Sequence, residues 1–131
     1  MDFTEQDVLQ FFDRNLAAWP LYQAFERELF ARLPDTKRKV QKTQIAFSNR
    51  YLFACVSFLH VKKKAELPNP YFVLTLGLPA PLASERVAAQ TEPYPGRWTV
   101  HLVIGAPDEL DGELFGWVEQ AYQFAETKGK R

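Results

Sequence analysis

The sequence predicts an α+β domain built on an antiparallel sheet of about four or five strands, with two N-terminal helices and one C-terminal helix packed mainly on one face. Three observations carry this prediction. Apolar residues recur at helical spacing as far as Leu33. From Lys39 to Ile104 the period falls to two, in runs rich in Val, Ile, Phe, Tyr and Thr. Helical spacing then returns after Pro107. Helices gathered at the two ends of a strand-rich middle lack the alternation that a parallel βαβ sheet requires.

Each element follows from its own residues. Thr4 can cap the first helix, with Asp7 in the capping-box position and Phe3 and Val8 at staple spacing. Val8, Phe11, Phe12 and Leu16 form its apolar stripe, and it ends between Arg14 and Ala17. Pro20 suits the first turn of a second helix, where its missing amide would be unpaired anyway. Tyr22, Phe25, Leu29 and Leu33 are the stripe, and Pro34-Asp35 stops it.

In the sheet, Thr43, Ile45 and Phe47 alternate with Lys42, Gln44 and Ala46, and Ser48-Asn49-Arg50 turns the chain into Tyr51–Val61. That segment is apolar on both faces, so it is expected to be central and the longest strand. Phe72, Leu74, Leu76 and Leu78 alternate with Tyr71, Val73, Thr75 and Gly77; Trp98, Val100, Leu102 and Ile104 alternate with Arg97, Thr99, His101 and Val103. The closing helix begins near Pro107-Asp108, its acidic first turn matching the positive end of the helix dipole. Leu110, Leu114, Trp117, Val118, Ala121, Phe124 and Ala125 are expected on its buried side.

Length and composition bound the function classes. A chain of 131 residues forms one domain, residues 1–131, and 47% hydrophobic content gives it a core without metals or disulfides. Sixteen basic residues balance sixteen acidic ones, so no global field recruits nucleic acid or an anionic membrane. The single cysteine, Cys55, excludes an internal disulfide and fits the reducing cytoplasm. The acidic start and the lack of an apolar run of about 20 residues predict neither export nor membrane insertion.

The chemistry-bearing segment is Glu92-Pro93-Tyr94-Pro95-Gly96-Arg97-Trp98-Thr99-Val100-His101, a Pro-rich turn entering a strand. Arg97, Thr99 and His101 are spaced by two and share a sheet face. With Lys42, Gln44 and Thr75 on the same face, and Tyr94 at the turn, they make a candidate site for an anionic or polar ligand. The bland alternative is a solvated sheet face with Arg97 paired to Glu92 and Tyr94 buttressing the turn. Cys55, inside an apolar run, reads as packing, and His60 and His101 without paired carboxylates indicate no metal site. No cofactor fingerprint is present: the Gly-rich phosphate loop, the Gly-x-Ser-x-Gly elbow and the dinucleotide motif are all missing.

Lys42-Thr43-Gln44-Ile45-Ala46-Phe47, Thr75-Leu76-Gly77-Leu78-Pro79, the segment Glu92 to His101 and the helix Glu113 to Ala125 together resemble a bacterial family, domain of unknown function 5655. The likeness covers about Phe11 to Ala125. It implies a domain that occurs both alone and joined to other small domains, which suits a binding module more than an enzyme.

The leading expectation is therefore a non-enzymatic binding or interaction domain that holds a polar or anionic small molecule, or a protein partner, on its polar sheet face. A small enzyme would use His101 as general acid or base, with Tyr94 or Glu92 nearby. Nucleic-acid binding would run through Lys37, Arg38, Lys39, Lys42, Lys62, Lys63 and Lys64, with Tyr51 or Phe53 stacking, but lysines at strand ends ordinarily guard sheet edges. An aromatic load of 11 Phe, 5 Tyr and 3 Trp also raises the expectation of a homodimer through the open face.

Overall fold

The computed structural model describes residues 11–12, 15–59, 61–62 and 66–127. Its elements are α1 (Trp19–Arg32), β1 (Lys37–Val40), β2 (Gln44–Ser48), β3 (Leu52–Ser57), β4 (Phe72–Leu78), β5 (Val87–Tyr94), β6 (Arg97–Ile104) and α2 (Gly112–Thr127). The six strands form one sheet of order β1-β2-β3-β4-β6-β5, with every neighbouring pair antiparallel.

This is the expected α+β architecture with corrections. The sheet has six strands rather than four or five, and two α-helices rather than three stand among the described residues. The added strands are both at edges. In β1 three of four residues are Lys or Arg, and β5 is half-buried and then exposed along its length, so neither shows apolar alternation. Most of the helix expected from Thr4 lies outside the described residues; its expected C-terminal end instead holds a 3₁₀ turn, Leu16–Ala18, running straight into α1. The strand expected over Tyr51–Val61 shortens to Leu52–Ser57, and β5 and β6 are the longest at 8 residues each.

The register sorts side chains between two faces. Ile45, Val56, Leu74 and Leu102 oppose one another across four strands, as do Phe47, Ala54, Leu76 and Val100. These rows are buried under both helices. Tyr22, Phe25 and Leu29 of α1 and Leu114, Phe115, Val118 and Ala121 of α2 fill the layer between, as their helical spacing requires. Phe25 is at its centre, with its ring 5.6 Å from Phe72, 6.0 Å from Phe47 and 5.7 Å from Phe115.

Two local devices complete the frame. A bulge in β3 skips Phe53 in the pairing with β2, and Phe53 is buried with its ring 5.3 Å from Tyr122 of α2. The run thus reads as apolar on both sides. At the start of α2, Asp111 Oδ1 accepts from the Leu114 amide at 2.9 Å and caps the helix. Arg86, in the connection from β4 to β5, donates to Asp111, Glu113 and the Glu109 carbonyl, tying that crossing strap to the helix layer.

Candidate functional site: a recess on the open sheet face

The opposite face is paved with small side chains. One row across five strands reads Ala46, Cys55, Thr75, His101, Ala89; another pairs Gly77 with Thr99 and Thr99 with Thr91. Small residues leave the floor low, and taller walls at one end turn it into a cavity of about 810 Å³. That volume is within the range of small-molecule sites.

One wall is polar and comes from the link between β1 and β2, where Lys42 and Thr43 precede Gln44. Gln44 Nε2 donates to Gln41 Oε1 at 2.7 Å, which fixes the amide of the first β2 residue. Beside it, where the chain leaves β3, the lining is apolar and largely aromatic. Phe11 stacks on Phe58 with centroids 5.5 Å apart, Tyr71 meets Phe58 edge-on, and Leu59 beside them is 52% exposed.

On the floor, Thr75 and His101 are directly opposed across β4 and β6, and Thr75 Oγ1 is 2.8 Å from His101 Nδ1. The hydroxyl can donate to that nitrogen or accept from it, so the imidazole can offer its other nitrogen as acceptor or donor. Burial holds the His101 pKa below its ordinary value, and the ring is neutral at pH 7. Cys55 is 9% exposed beside Thr75, and burial pushes its thiol up to about 11. A protonated thiol is a poor nucleophile.

Four of the sequence-predicted site residues, Lys42, Gln44, Thr75 and His101, come together around this cavity. Thr99 is on the adjoining stretch of floor, in a smaller hollow of about 190 Å³ with Leu52, Gly77 and Thr75. Arg97 and Tyr94 stand apart. They pair with each other at the tip of the β5–β6 hairpin, where Tyr94 is 67% exposed. Arg97 shares the face of His101 but is four residues along the strand, about 13 Å by strand rise. Glu92, expected to pair with Arg97, accepts from the Gly96 amide at 3.0 Å, and Gly96 supplies the positive φ of 74° that the tip needs.

A family model described as Domain of unknown function (DUF5655) matches residues 9–125. The chain belongs to this family. No curated protein and no solved structure matches alongside it.

In this DUF5655 domain the residues that sequence reasoning missed are Phe11, Asn15, Thr43, Ser57, Phe58 and Leu59, and Cys55, read as packing, lines the recess as well. Ser57 shares the open face with Gln44, its partner in the ladder, but Phe58, Leu59 and Asn15 reach it only through tertiary packing. His60, Lys63 and Lys64 lie outside the described residues. Of the basic residues proposed for nucleic acid, Arg38 is engaged by Glu26 at 2.7 Å. Among the described residues no group of His, Cys, Asp or Glu is arranged to hold a metal ion. No described helix is long and apolar enough to cross a membrane.

A second cavity of about 310 Å³ opens beside Asn69 and Pro70, lined also by Asn15, Leu67, Pro68 and Tyr71. Among the described residues its lining carries no charged side chain and no imidazole. The larger recess is the one with chemistry.

Proposed function

We propose that this DUF5655 domain is a binding module that holds a polar or anionic small molecule in the recess on its open sheet face. The observation that carries the reading is the convergence of the Thr75–His101 pair with Lys42 and Gln44 over a floor of small residues. A fully solvated sheet face would expose His101; here the ring is half-buried in a walled recess.

The geometry favours binding over catalysis. Among the described residues the lining contains no carboxylate to orient His101, and its thiol, that of Cys55, is held protonated. Glu92 and Tyr94, the expected helpers of a His101 general acid or base, are at the hairpin tip.

An NMR titration of the labelled chain tests this, using a fragment set of carboxylates, phosphates, amines and neutral amides at millimolar concentration. Amide shifts are expected to cluster at Gln44, Ser57, Thr75 and His101. Shifts confined to the Tyr94–Arg97 tip or to the helices, or no shift with any fragment, would overturn the assignment.

A further inference from the structure

We propose that the recess selects a monoanionic amphiphile, an aryl- or short acyl-carboxylate whose carboxylate meets Lys42 while its apolar body lies on Phe58 and Leu59. This rests on the binding reading above and narrows its ligand class.

The charge of the recess favours a monoanion. Among the described residues of the lining Lys42 is the one charged side chain, and none is Asp, Glu or Arg. An ammonium ligand would meet a cation and no counter-charge. A phosphate or dicarboxylate would bring two negative charges to one lysine, without the guanidinium fork that such groups use. A single carboxylate matches the count, and the exposed lysine keeps it near water, so its desolvation stays small.

The placement of the apolar residues agrees with the charge. Lys42 and Thr43 lead into β2 where Phe58 and Leu59 lead out of β3, and because Gln44 pairs with Ser57 the cationic and apolar residues neighbour each other at one end of the recess. The adjoining floor is neutral, with Ser57, Thr75 and His101 offering hydrogen bonds and no charge at pH 7. A ligand complementary to this arrangement carries an anionic group next to an apolar body and can accept or donate a hydrogen bond over the floor. Leu59 adds weight because an exposed leucine beside a stacked aromatic pair gains by being covered.

The experiment is calorimetry on the full chain with four matched probes: 4-phenylbutyrate, 4-phenylbutanol, 4-phenylbutylamine and phenyl phosphate. The carboxylate is expected to bind about fivefold tighter than the alcohol, the margin of one exposed ion pair. Lys42→Ala, a substitution in a surface turn, should remove that margin and leave alcohol binding unchanged. Leu59→Ser should weaken both to the same degree.

Saturating 4-phenylbutyrate should also slow alkylation of Cys55, the chain's one cysteine and part of the cavity lining. If the amine or the phosphate binds better at the same residues, the ligand class is wrong and the binding reading stands. If Lys42→Ala changes nothing, the carboxylate placement is wrong. If no probe binds or protects Cys55, both inferences fall.

Discussion

The two faces of one sheet differ in what each residue along a strand is asked to do. On the helix face Phe72, Leu74, Leu76 and Leu78 of β4 are all buried, and aromatic rings of both helices fill the space above them. One residue away, Thr75 and Gly77 of the same strand are half-buried and line hollows. The helix face shows how the chain stays folded. The open face spends little on stability, since small side chains bury little area, and this leaves room for a ligand. Substitutions on the two sides should therefore separate cleanly into large and small effects.

The largest effect is expected at Phe25. It is fully buried and touches Phe47, Phe72 and Phe115, so Phe25→Ala should destabilise the fold by about 3–5 kcal/mol, read from urea unfolding. The matching change on the other face, Ala46→Ser, should stay within about 0.5 kcal/mol. Comparable costs at both positions would abolish the distinction between the faces.

Next is Arg86, which fastens the β4–β5 strap to the helix layer. Its guanidinium contacts Asp111 at 2.9 Å, Glu113 at 3.0 Å and the Glu109 carbonyl at 2.6 Å, and it is 5.5 Å from the Trp117 ring. Solvent screens the carboxylate contacts, because Asp111 and Glu113 are exposed. Arg86→Ala is accordingly expected to cost about 1–2 kcal/mol in thermal or urea unfolding, carried mainly by the carbonyl bond and the ring contact. A loss below the noise would mean that the strap is held by the Gln90 side chain, whose amide bonds both backbone groups of Leu82.

Smaller still is Thr75→Val, which keeps shape and removes the hydroxyl facing His101 Nδ1. It should cost about 1 kcal/mol, because the ring can still reach water through the recess. Its sharper readout is the imidazole proton resonances of His101, which should move in Thr75→Val and stay put in Thr99→Val. An unmoved His101 would show that the pair is not formed in solution.

The sequence made the faces legible and the distances illegible. Parity alone puts Thr75, Thr99 and His101 on one side, and the helical stripe of Tyr22, Phe25 and Leu29 needs only spacing. Which of them meet depends on register. Thr75 faces His101 because β4 pairs with β6 across Phe72↔Ile104, and no local signal records that pairing. Parity likewise grouped Arg97 with His101 and could not show that strand rise carries it to the tip. The two edge strands escaped notice because edges bury too little to require alternation, and β1 carries cations that discourage a further strand. Phe53 misled because a bulge, invisible in the pattern, breaks its pairing with β2.

The smallest effect, and the one that separates the faces most directly, is pH dependence. In the unfolded chain His101 takes up a proton as pH falls through its ordinary value of 6.5. In the fold, desolvation resists that proton. The unfolded state then binds more protons, so stability is complete above pH 6.5, declines as pH falls below it, and stops declining beneath the folded pKa. Asp111 acts in a lower window. The Leu114 amide and then Arg86 hold its carboxyl below the ordinary 3.8, so its contribution is present above that value and is lost as pH falls through the folded pKa. Melting temperature measured against pH should lose its upper slope in His101→Gln and its lower slope in Asp111→Asn. Should His101→Gln leave the upper slope intact, the imidazole is solvated, and the recess over Thr75 is not the half-buried site that binding requires.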